Sequence, residues 1–289
     1  MAMVTMSTTT DFSDAAPLLS DPSALRRQAA ADGYVFIRGL VDGGALQEVA
    51  AAVRAITMDL GWTDAAGRCP PGAPVACEGG PGWRAFYDRV QSLRCFHALP
   101  HAPALAAVMA LLLDGPVLVH PRNILRFVPP GSSRQTTPPH QDHFYIGGTP
   151  ETWTVWIPLG DCPLEMGGLA VLPGSHRYGR LAVQAAEGTG GHGIALGDCT
   201  GSWRSGPFAC GDVLLLHSHT VHQGVDNRSA AQPRVSIDCR FQRRDAALAA
   251  ASLQPHQGWL DWETIYAGWS PQDPLRYYWR DWDLQLEDA

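Results

Sequence analysis

The middle of the chain consists of short β-rich runs separated by proline and glycine. These runs occupy residues 117–120, 123–128, 152–159, 169–172, 212–216 and 234–241. Runs of about four to eight residues with frequent turn signals are typical of antiparallel sandwiches and barrels. The sequence therefore predicts one β-domain whose core spans about 117–242.

The segments on the N-terminal side of this core have a helical pattern. Asp21 and Pro22 are typical of a helix start and Gly33 of a helix end, and apolar residues recur at helical spacing over 43–59. Residues 102–113 are apolar enough to form a buried helix. We therefore expect a mainly β fold with flanking α-helices.

Composition also suggests where the domain begins and which parts of it are irregular. Residues 1–20 are rich in Thr, Ser and Ala and predict a flexible tail, so that 21–289 forms a single domain. The glycine-rich stretch 182–207 predicts a long loop or lid. Residues 243–289 carry half of the ten tryptophans, which favours a segment packed on the β core; the alternative is an apolar wall of a substrate pocket.

The charge and the cysteine pattern exclude several classes of protein. The net charge is −7 and the pI about 5.8, so the sequence has no basic footprint for nucleic acid or an anionic membrane. All 21 basic residues are arginine, which excludes any site that needs a lysine. The seven cysteines lack a C-x-x-C pair, and no apolar run is long enough to span a bilayer. We expect a cytoplasmic protein; its oligomeric state stays open.

An imidazole and a carboxylate two residues apart form the first candidate metal-binding pair. In an extended backbone, His140 and Asp142 would point to the same side. His222 follows an apolar strand and a short polar turn, where it can join them. Two histidines and one carboxylate are the usual ligands of non-haem Fe(II), although the same set also suits a hydrolytic zinc ion.

The strand at 234–241 carries a possible anion-binding arginine. Alternation places Arg234, Ser236 and Arg240 on one face and apolar residues on the other. If helices cover the apolar face, Arg234 and Ser236 point into the barrel. A buried guanidinium needs an anion, and a dicarboxylate cosubstrate would supply one.

Taken together, these motifs resemble the phytanoyl-CoA dioxygenase (PhyH) family of Fe(II)- and 2-oxoglutarate-dependent oxygenases. The matching segments are DGYVFIRG at 32–39, HQD at 140–142, WIPL at 156–159 followed by Asp161, GGLAVLPGSH at 167–176, and the block at 222–236. The resemblance implies a double-stranded β-helix, also called a jelly roll and similar to cupins, that holds iron at one mouth.

The resemblance also implies roles for individual residues. His140, Asp142 and His222 would bind the metal and form the catalytic centre. Further residues would contact 2-oxoglutarate or the substrate. The cosubstrate contacts implied are Arg234, Ser236, Trp156 and Gln135, and the substrate contacts suggested by proximity to the iron motif are Asn123, Gln141 and His143.

The implied reaction consumes O2 and 2-oxoglutarate, releases succinate and CO2, and hydroxylates an unactivated C–H bond; ascorbate is a possible reductant in vitro. Desaturation, epoxidation, cyclisation or epimerisation are alternative outcomes of the same chemistry. A small free metabolite or natural-product intermediate is favoured over a coenzyme A thioester, because the chain has no lysine. Outside the oxygenases, the alternative functions are those of a zinc hydrolase and of a non-catalytic binding protein.

Overall fold

The computed structural model describes residues 10–131, 136–197 and 199–287. The α-helices are α1 Pro22–Asp32, α2 Gly43–Asp59, α3 Pro81–Gln91, α4 Arg94–Ala98, α5 Pro103–Leu113, α6 His143–Ile146 and α7 Trp262–Ile265. The strands are β1 Tyr34–Ile37, β2 Val117–Val119, β3 Ile124–Val128, β4 Trp153–Pro158, β5 Leu169–Val171, β6 Val183–Ala185, β7 His192–Ile194, β8 Val213–His217, β9 His222–Gly224, β10 Arg234–Arg243, β11 Leu248–Ala249 and β12 Leu286–Glu287.

Helix α1 begins and ends as the sequence predicts. The Asp21 carboxylate accepts a hydrogen bond from the Ala24 amide at 3.0 Å, which caps the first turn. Gly33 ends the helix with a φ of 72°, a left-handed conformation that glycine adopts without the steric cost of a Cβ. The predicted helix at 43–59 is confirmed as α2, and the apolar stretch at 102–113 forms α5.

The largest sheet is antiparallel and has the order β1-β8-β4-β10-β2, with β3 also paired to β10. Its outer face is covered by helices. Ile237, Cys239 and Phe241 on β10 are fully buried in one apolar cluster with side chains of α1, α2, α3 and α5. Because these apolar residues alternate with Ser236 and Arg240, the polar face of β10 is turned away from the helices.

A smaller layer lies against the inner face of this sheet. Strands β5 and β9 pair with each other, and Leu169 and Val171 of β5 pack in a second cluster with Tyr34, Phe36 and Leu214 of the large sheet. The mainly β architecture with flanking helices is therefore confirmed, with two β layers facing each other around a polar interior.

Three segments outside this core also have defined positions. Phe12 and Ala15, in the region predicted as a tail, are buried, and the Ala15 amide donates to the Phe36 carbonyl at 2.8 Å. The glycine-rich stretch predicted as a loop contains the hairpin β6–β7. The C-terminal tryptophans form a cluster of their own, anchored where the Trp269 indole donates to the Ser92 carbonyl.

Among the residues with described positions, no single helix has the length and hydropathy needed to cross a membrane. The segments Arg94–His101 and Pro103–Leu113, which are bent by 43° at their junction, meet that test only as a pair.

Candidate active site

Two histidines far apart in the sequence are joined by backbone hydrogen bonds. The His140 amide donates to the His222 carbonyl at 2.9 Å, and the His222 amide donates to the His140 carbonyl at 3.1 Å. This antiparallel bridge places the two side chains next to each other, with ring centroids 4.1 Å apart. Asp142 follows two residues later, directly before α6, and completes the group.

The three side chains converge on one point. The ligand atoms of His140, Asp142 and His222 all lie within 4.8 Å of one another. Asp142 Oδ1 lies 3.4 Å from His140 Nε2 and 3.9 Å from His222 Nε2. Each imidazole is oriented by its other nitrogen, because His140 Nδ1 contacts the Pro138 carbonyl at 2.9 Å and His222 Nδ1 contacts the Thr220 carbonyl at 3.0 Å. A carbonyl can only accept, so Nδ1 carries a proton and Nε2 is the nitrogen that faces the common point.

The electrostatics keep Asp142 and His222 in the protonation states that bind a metal. Burial opposes the charge on Asp142, but Arg240 and the two imidazoles hold the pKa of this carboxyl well below its usual range. Burial lowers the pKa of His222 to about 4, with a further contribution from His140. At neutral pH Asp142 is therefore an anion and the imidazole of His222 is neutral. These are the forms that coordinate a divalent cation.

An inner cavity lies between the two β layers beside this group. Its wall includes Arg234, Ser236 and Trp156 together with the three convergent side chains. Arg234 is buried, and its Nη1 donates to the carbonyls of Gly167, Gly168 and Val225. Among the described residues, Arg234 Nε and Ser236 Oγ have no hydrogen-bond partner. The strand thus presents a buried cation and a hydroxyl to a cavity that opens onto the possible metal ligands.

Trp156, implied as a cosubstrate contact, faces both the inner cavity and the apolar core. It lines the inner cavity, and its ring also packs on Phe208 with centroids 4.7 Å apart. Gln135, the other expected cosubstrate contact, lies outside the described residues.

An outer cavity with a volume of about 240 Å³ shares Arg126, Thr137, His140 and Asp142 with the inner one. Small-molecule sites occupy roughly 300–1,000 Å³, so this cavity is close to the lower end of that range and suits a small metabolite. The remaining wall is contributed by several segments. It consists of Glu78, His120, Arg122, Ile124, Tyr145, Ile146, Thr189, Gly190, Arg240, Ser252, His256 and Gln257.

The three substrate contacts expected from proximity in sequence have other positions, since none of them lines either cavity. The Gln141 amide donates to the carbonyls of Gly179 and His219 and accepts from the Leu181 amide. The side chains of His143 and Asn123 are also turned to other contacts.

The ring of His143 packs edge-on against His219, with centroids 4.7 Å apart. The Asn123 amide nitrogen approaches His97 Nδ1 and the Pro121 carbonyl, both at 3.5 Å. Gln141, His143 and Asn123 thus contact the surrounding backbone and side chains and do not line either cavity.

Residues that the sequence did not single out surround the site instead. Thr154 donates a short hydrogen bond to Asp142 Oδ2, which leaves Oδ1 facing the imidazoles. Arg126 is held by both oxygens of Glu78, at 2.7 and 2.8 Å, and its Nε donates to Asp238 at 3.1 Å. The alternation along the strand places Arg240 on the same face as Arg234. This was the sequence feature from which a position of Arg240 near the site could have been inferred.

Known proteins resemble this chain in sequence and in fold. The family model described as phytanoyl-CoA dioxygenase (PhyH) matches residues 30–236. A 1-deoxypentalenic acid 11-beta-hydroxylase from Streptomyces exfoliatus is 31% identical over 261 residues, covering 86% of this chain and 90% of that protein. A second 1-deoxypentalenic acid 11-beta-hydroxylase, from Streptomyces arenae, is 30% identical over 266 residues, again covering 86% and 90%.

Among solved structures, the epimerase SnoN in complex with Fe3+, alpha ketoglutarate and nogalamycin RO superposes with a TM-score of 0.56 and 24% identity, covering 79% of this chain and 87% of that one. The alpha ketoglutarate dependent carbocyclase SnoK superposes with a TM-score of 0.54 and 21% identity, covering 83% and 89%. At these identities the likeness concerns the fold. The sequence match, in contrast, covers most of the chain and confirms the family expected from the motifs: the chain belongs to the phytanoyl-CoA dioxygenase family of Fe(II)- and 2-oxoglutarate-dependent oxygenases.

Proposed function

We propose that His140, Asp142 and His222 bind Fe(II) in this oxygenase. The observation that carries the proposal is the convergence of their buried ligand atoms within 4.8 Å, with both imidazoles turned to the common point by backbone carbonyls. Two neutral nitrogens and one carboxylate oxygen suit Fe(II) and leave coordination positions for other ligands. Asp142 would also offset half of the charge of the ion in this buried place.

Arg234 and Ser236 would hold the distal carboxylate of 2-oxoglutarate. In support, the guanidinium of Arg234 is buried with Nε lacking a partner, and the Ser236 hydroxyl beside it also lacks one among the described residues. Burial lowers the pKa of Arg234 to about 10, so it remains a cation at neutral pH. A charge-assisted pairing with a carboxylate would satisfy both orphaned groups, and the ring of Trp156 would form the adjacent apolar wall.

With Fe(II), 2-oxoglutarate and O2 bound, the cofactors supply the oxidation of a substrate C–H bond to C–OH, while 2-oxoglutarate is converted to succinate and CO2. The chain positions these reactants and excludes water. Thr154 holds one oxygen of Asp142, so that the other faces the metal. Arg234 would hold the cosubstrate in the inner cavity, and the outer cavity would hold the substrate beside His140 and Asp142.

Hydroxylation of a small metabolite or natural-product intermediate is the outcome that we favour. The two relatives that cover most of this chain at 30–31% identity are both named hydroxylases. The epimerase and the carbocyclase among the structural neighbours are more distant in sequence. We also propose that the two facing β layers form the double-stranded β-helix that the family motifs imply.

Metal-dependent binding of the cosubstrate tests this function. The purified protein, stripped of metal, is titrated with 2-oxoglutarate by calorimetry in the presence and absence of Mn(II) as a redox-inactive substitute for Fe(II). Binding should require the metal. With Fe(II) and O2, the protein should then convert 2-oxoglutarate to succinate, and 1-deoxypentalenic acid is the first compound to test for stimulation. Binding of 2-oxoglutarate that ignores the metal, or hydrolytic activity that depends on Zn(II), would contradict the proposal.

A further inference from the structure

Arg240 is a buried arginine to which no carboxylate is hydrogen-bonded among the described residues. It lies on β10 on the same face as Arg234, and its side chain lines the outer cavity. The residue is only 5% exposed, yet Nε and Nη1 have no hydrogen-bond partner in the described part of the chain. The nearest carboxylate oxygen is Asp142 Oδ2, 3.7 Å from Nη2, which is too far for a hydrogen bond.

Asp142 cannot serve as the dedicated partner of Arg240. Its Oδ2 already accepts a hydrogen bond from Thr154, and its Oδ1 faces the two imidazoles. Arg240 therefore contributes to the local potential around Asp142, while its own donors remain unsatisfied. A buried cation left in this state is costly unless a bound molecule supplies the acceptor.

A second arginine in the same wall, the half-buried Arg122, has no carboxylate partner among the described residues. Arg122 also lines the outer cavity, and its Nε donates to the neutral carbonyl of Gln254, at 3.2 Å. Burial lowers the pKa of Arg122, and the nearby charge of Arg240 lowers it further. Arg126, in contrast, is fully matched, because Glu78 and Asp238 both bind it.

The charges that line the two cavities leave a surplus of one positive charge. The charged side chains involved are Arg122, Arg126, Arg234 and Arg240 against Glu78, Asp142 and Asp238. Fe(II) and the 2-oxoglutarate dianion add equal and opposite charges, so the surplus remains after both are bound. A substrate with one negative charge would neutralise it, whereas a coenzyme A thioester or a diphosphate would bring several negative charges.

We propose that the outer cavity binds its substrate as a monocarboxylate, with Arg240 and Arg122 pairing with the carboxylate. This inference rests on the proposed function, because it assigns the substrate class of the same site. The planar fork of a guanidinium matches a carboxylate in shape and charge. Ile124 and Ile146 supply apolar wall for the carbon skeleton, and the shared wall at His140 and Asp142 places that skeleton beside the metal ligands.

Matched acids and amides test the inference. The protein loaded with Mn(II) and 2-oxoglutarate is titrated by calorimetry with cyclohexanecarboxylate and adamantane-1-carboxylate, and with the primary amide of each acid, which has the same shape but no charge. We expect each acid to bind at least about tenfold more tightly than its amide, as a buried charge pair requires. In Arg240→Gln and in Arg122→Gln this preference should fall towards unity.

Two controls separate charge recognition from damage to the site. Arg89→Gln removes a partly exposed arginine whose partner, Asp59, is also exposed, and it should keep the preference for acids. The affinity of each variant for Mn(II) and 2-oxoglutarate is measured in the same series. Since Arg122 does not contact Asp142, its variant should retain both affinities even if Arg240→Gln weakens metal binding.

Each outcome decides between the two proposals. Equal binding of acids and amides by the unmodified protein, or no detectable binding of either acid, would overturn the inference while leaving the proposed function intact. Retention of the full acid preference in both arginine variants would also overturn it. Absence of metal-dependent 2-oxoglutarate binding in the unmodified protein would instead count against the proposed function itself.

Discussion

Asp142 Oδ1 lies 3.9 Å from His222 Nε2, although the two residues are far apart in the chain. The backbone bridge between His140 and His222 maintains this proximity, since it joins the segment before Asp142 to strand β9. The site therefore depends on the pairing of two distant segments. The contribution of each side chain to metal or 2-oxoglutarate binding can be tested separately.

Asp142→Ala should abolish metal binding. The substitution removes the only carboxylate among the three convergent side chains, so two neutral imidazoles would remain. We expect the affinity for Mn(II) to fall by roughly 100-fold or more. Losing a residue that only hydrogen-bonds to a metal ligand already costs about 10- to 100-fold, and losing the ligand itself should cost more. Calorimetric titration with Mn(II) measures this directly, and succinate production from 2-oxoglutarate should be lost in parallel.

The control for this variant is Asp59→Ala, which removes an exposed carboxylate paired only with Arg89 at the surface. Such pairs contribute about 0–1 kcal/mol to the free energy of unfolding, so metal affinity should not change. Near-normal succinate production by Asp142→Ala would show that the metal is held elsewhere.

Thr154→Val should weaken metal binding without removing a ligand. The Thr154 hydroxyl donates to Asp142 Oδ2, and valine has nearly the same shape but no donor. Because partners of metal-binding carboxylates orient them, we expect a loss of roughly 10-fold in Mn(II) affinity. Thr154→Ser keeps the hydroxyl and should restore most of the affinity. If serine and valine at this position weaken binding equally, packing of the methyl group matters and the hydrogen bond does not.

Arg234→Met should weaken 2-oxoglutarate binding much more than metal binding. The variant removes the cation from the inner cavity, and the loss of a buried charged pairing costs about 2 to 5 kcal/mol of binding free energy. The dissociation constant for 2-oxoglutarate is measured by calorimetry with saturating Mn(II), whose own affinity is determined first. An unchanged dissociation constant would remove Arg234 from the cosubstrate site.

A stability measurement is needed beside this variant, because Arg234 also donates to backbone carbonyls of Gly168 and Val225. We expect the variant to unfold at a lower urea concentration. A selective loss of 2-oxoglutarate affinity, with Mn(II) affinity intact, separates the binding role from general destabilisation.

The sequence was sufficient to predict the three residues that converge at the site and the strand that carries Arg234, but not strand β9, which carries His222, nor the helical backbone of Asp142. It could not decide which face of β10 is internal, because an alternating pattern defines two faces without assigning them. The helices settle this, since α2, α3 and α5 cover the apolar face and leave Arg234 and Ser236 in the cavity.

Proximity in sequence was a poor guide to substrate contacts. Gln141 lies between two of the convergent residues, yet its side chain is taken by backbone groups of Gly179, Leu181 and His219. Those partners lie far along the chain, and only the tertiary structure brings them near. Thr154 was missed for the same reason, because a threonine inside an apolar strand looks like core until the chain places Asp142 against it.

A buried histidine outside the active site makes stability depend on pH. His97 packs between Phe96 and the tryptophans Trp262 and Trp269, and burial lowers its pKa to about 4 from an ordinary value of 6.5. The unfolded chain therefore takes up a proton at this residue below about pH 6.5, while the folded chain does not until about pH 4. The stability associated with neutral His97 is complete above that window and is lost as the pH falls through it.

His97→Gln should flatten this dependence. Within the window each pH unit costs about 1.4 kcal/mol for one such histidine, and glutamine removes this term because it does not titrate. The variant loses ring packing and should be less stable than the unmodified protein at pH 7, but the gap should narrow at pH 5. Urea unfolding of both proteins at pH 7, 6 and 5 measures the two slopes, and the carboxylates that titrate in this range are common to both. Parallel curves would mean that His97 becomes protonated in the folded protein as readily as in the unfolded chain.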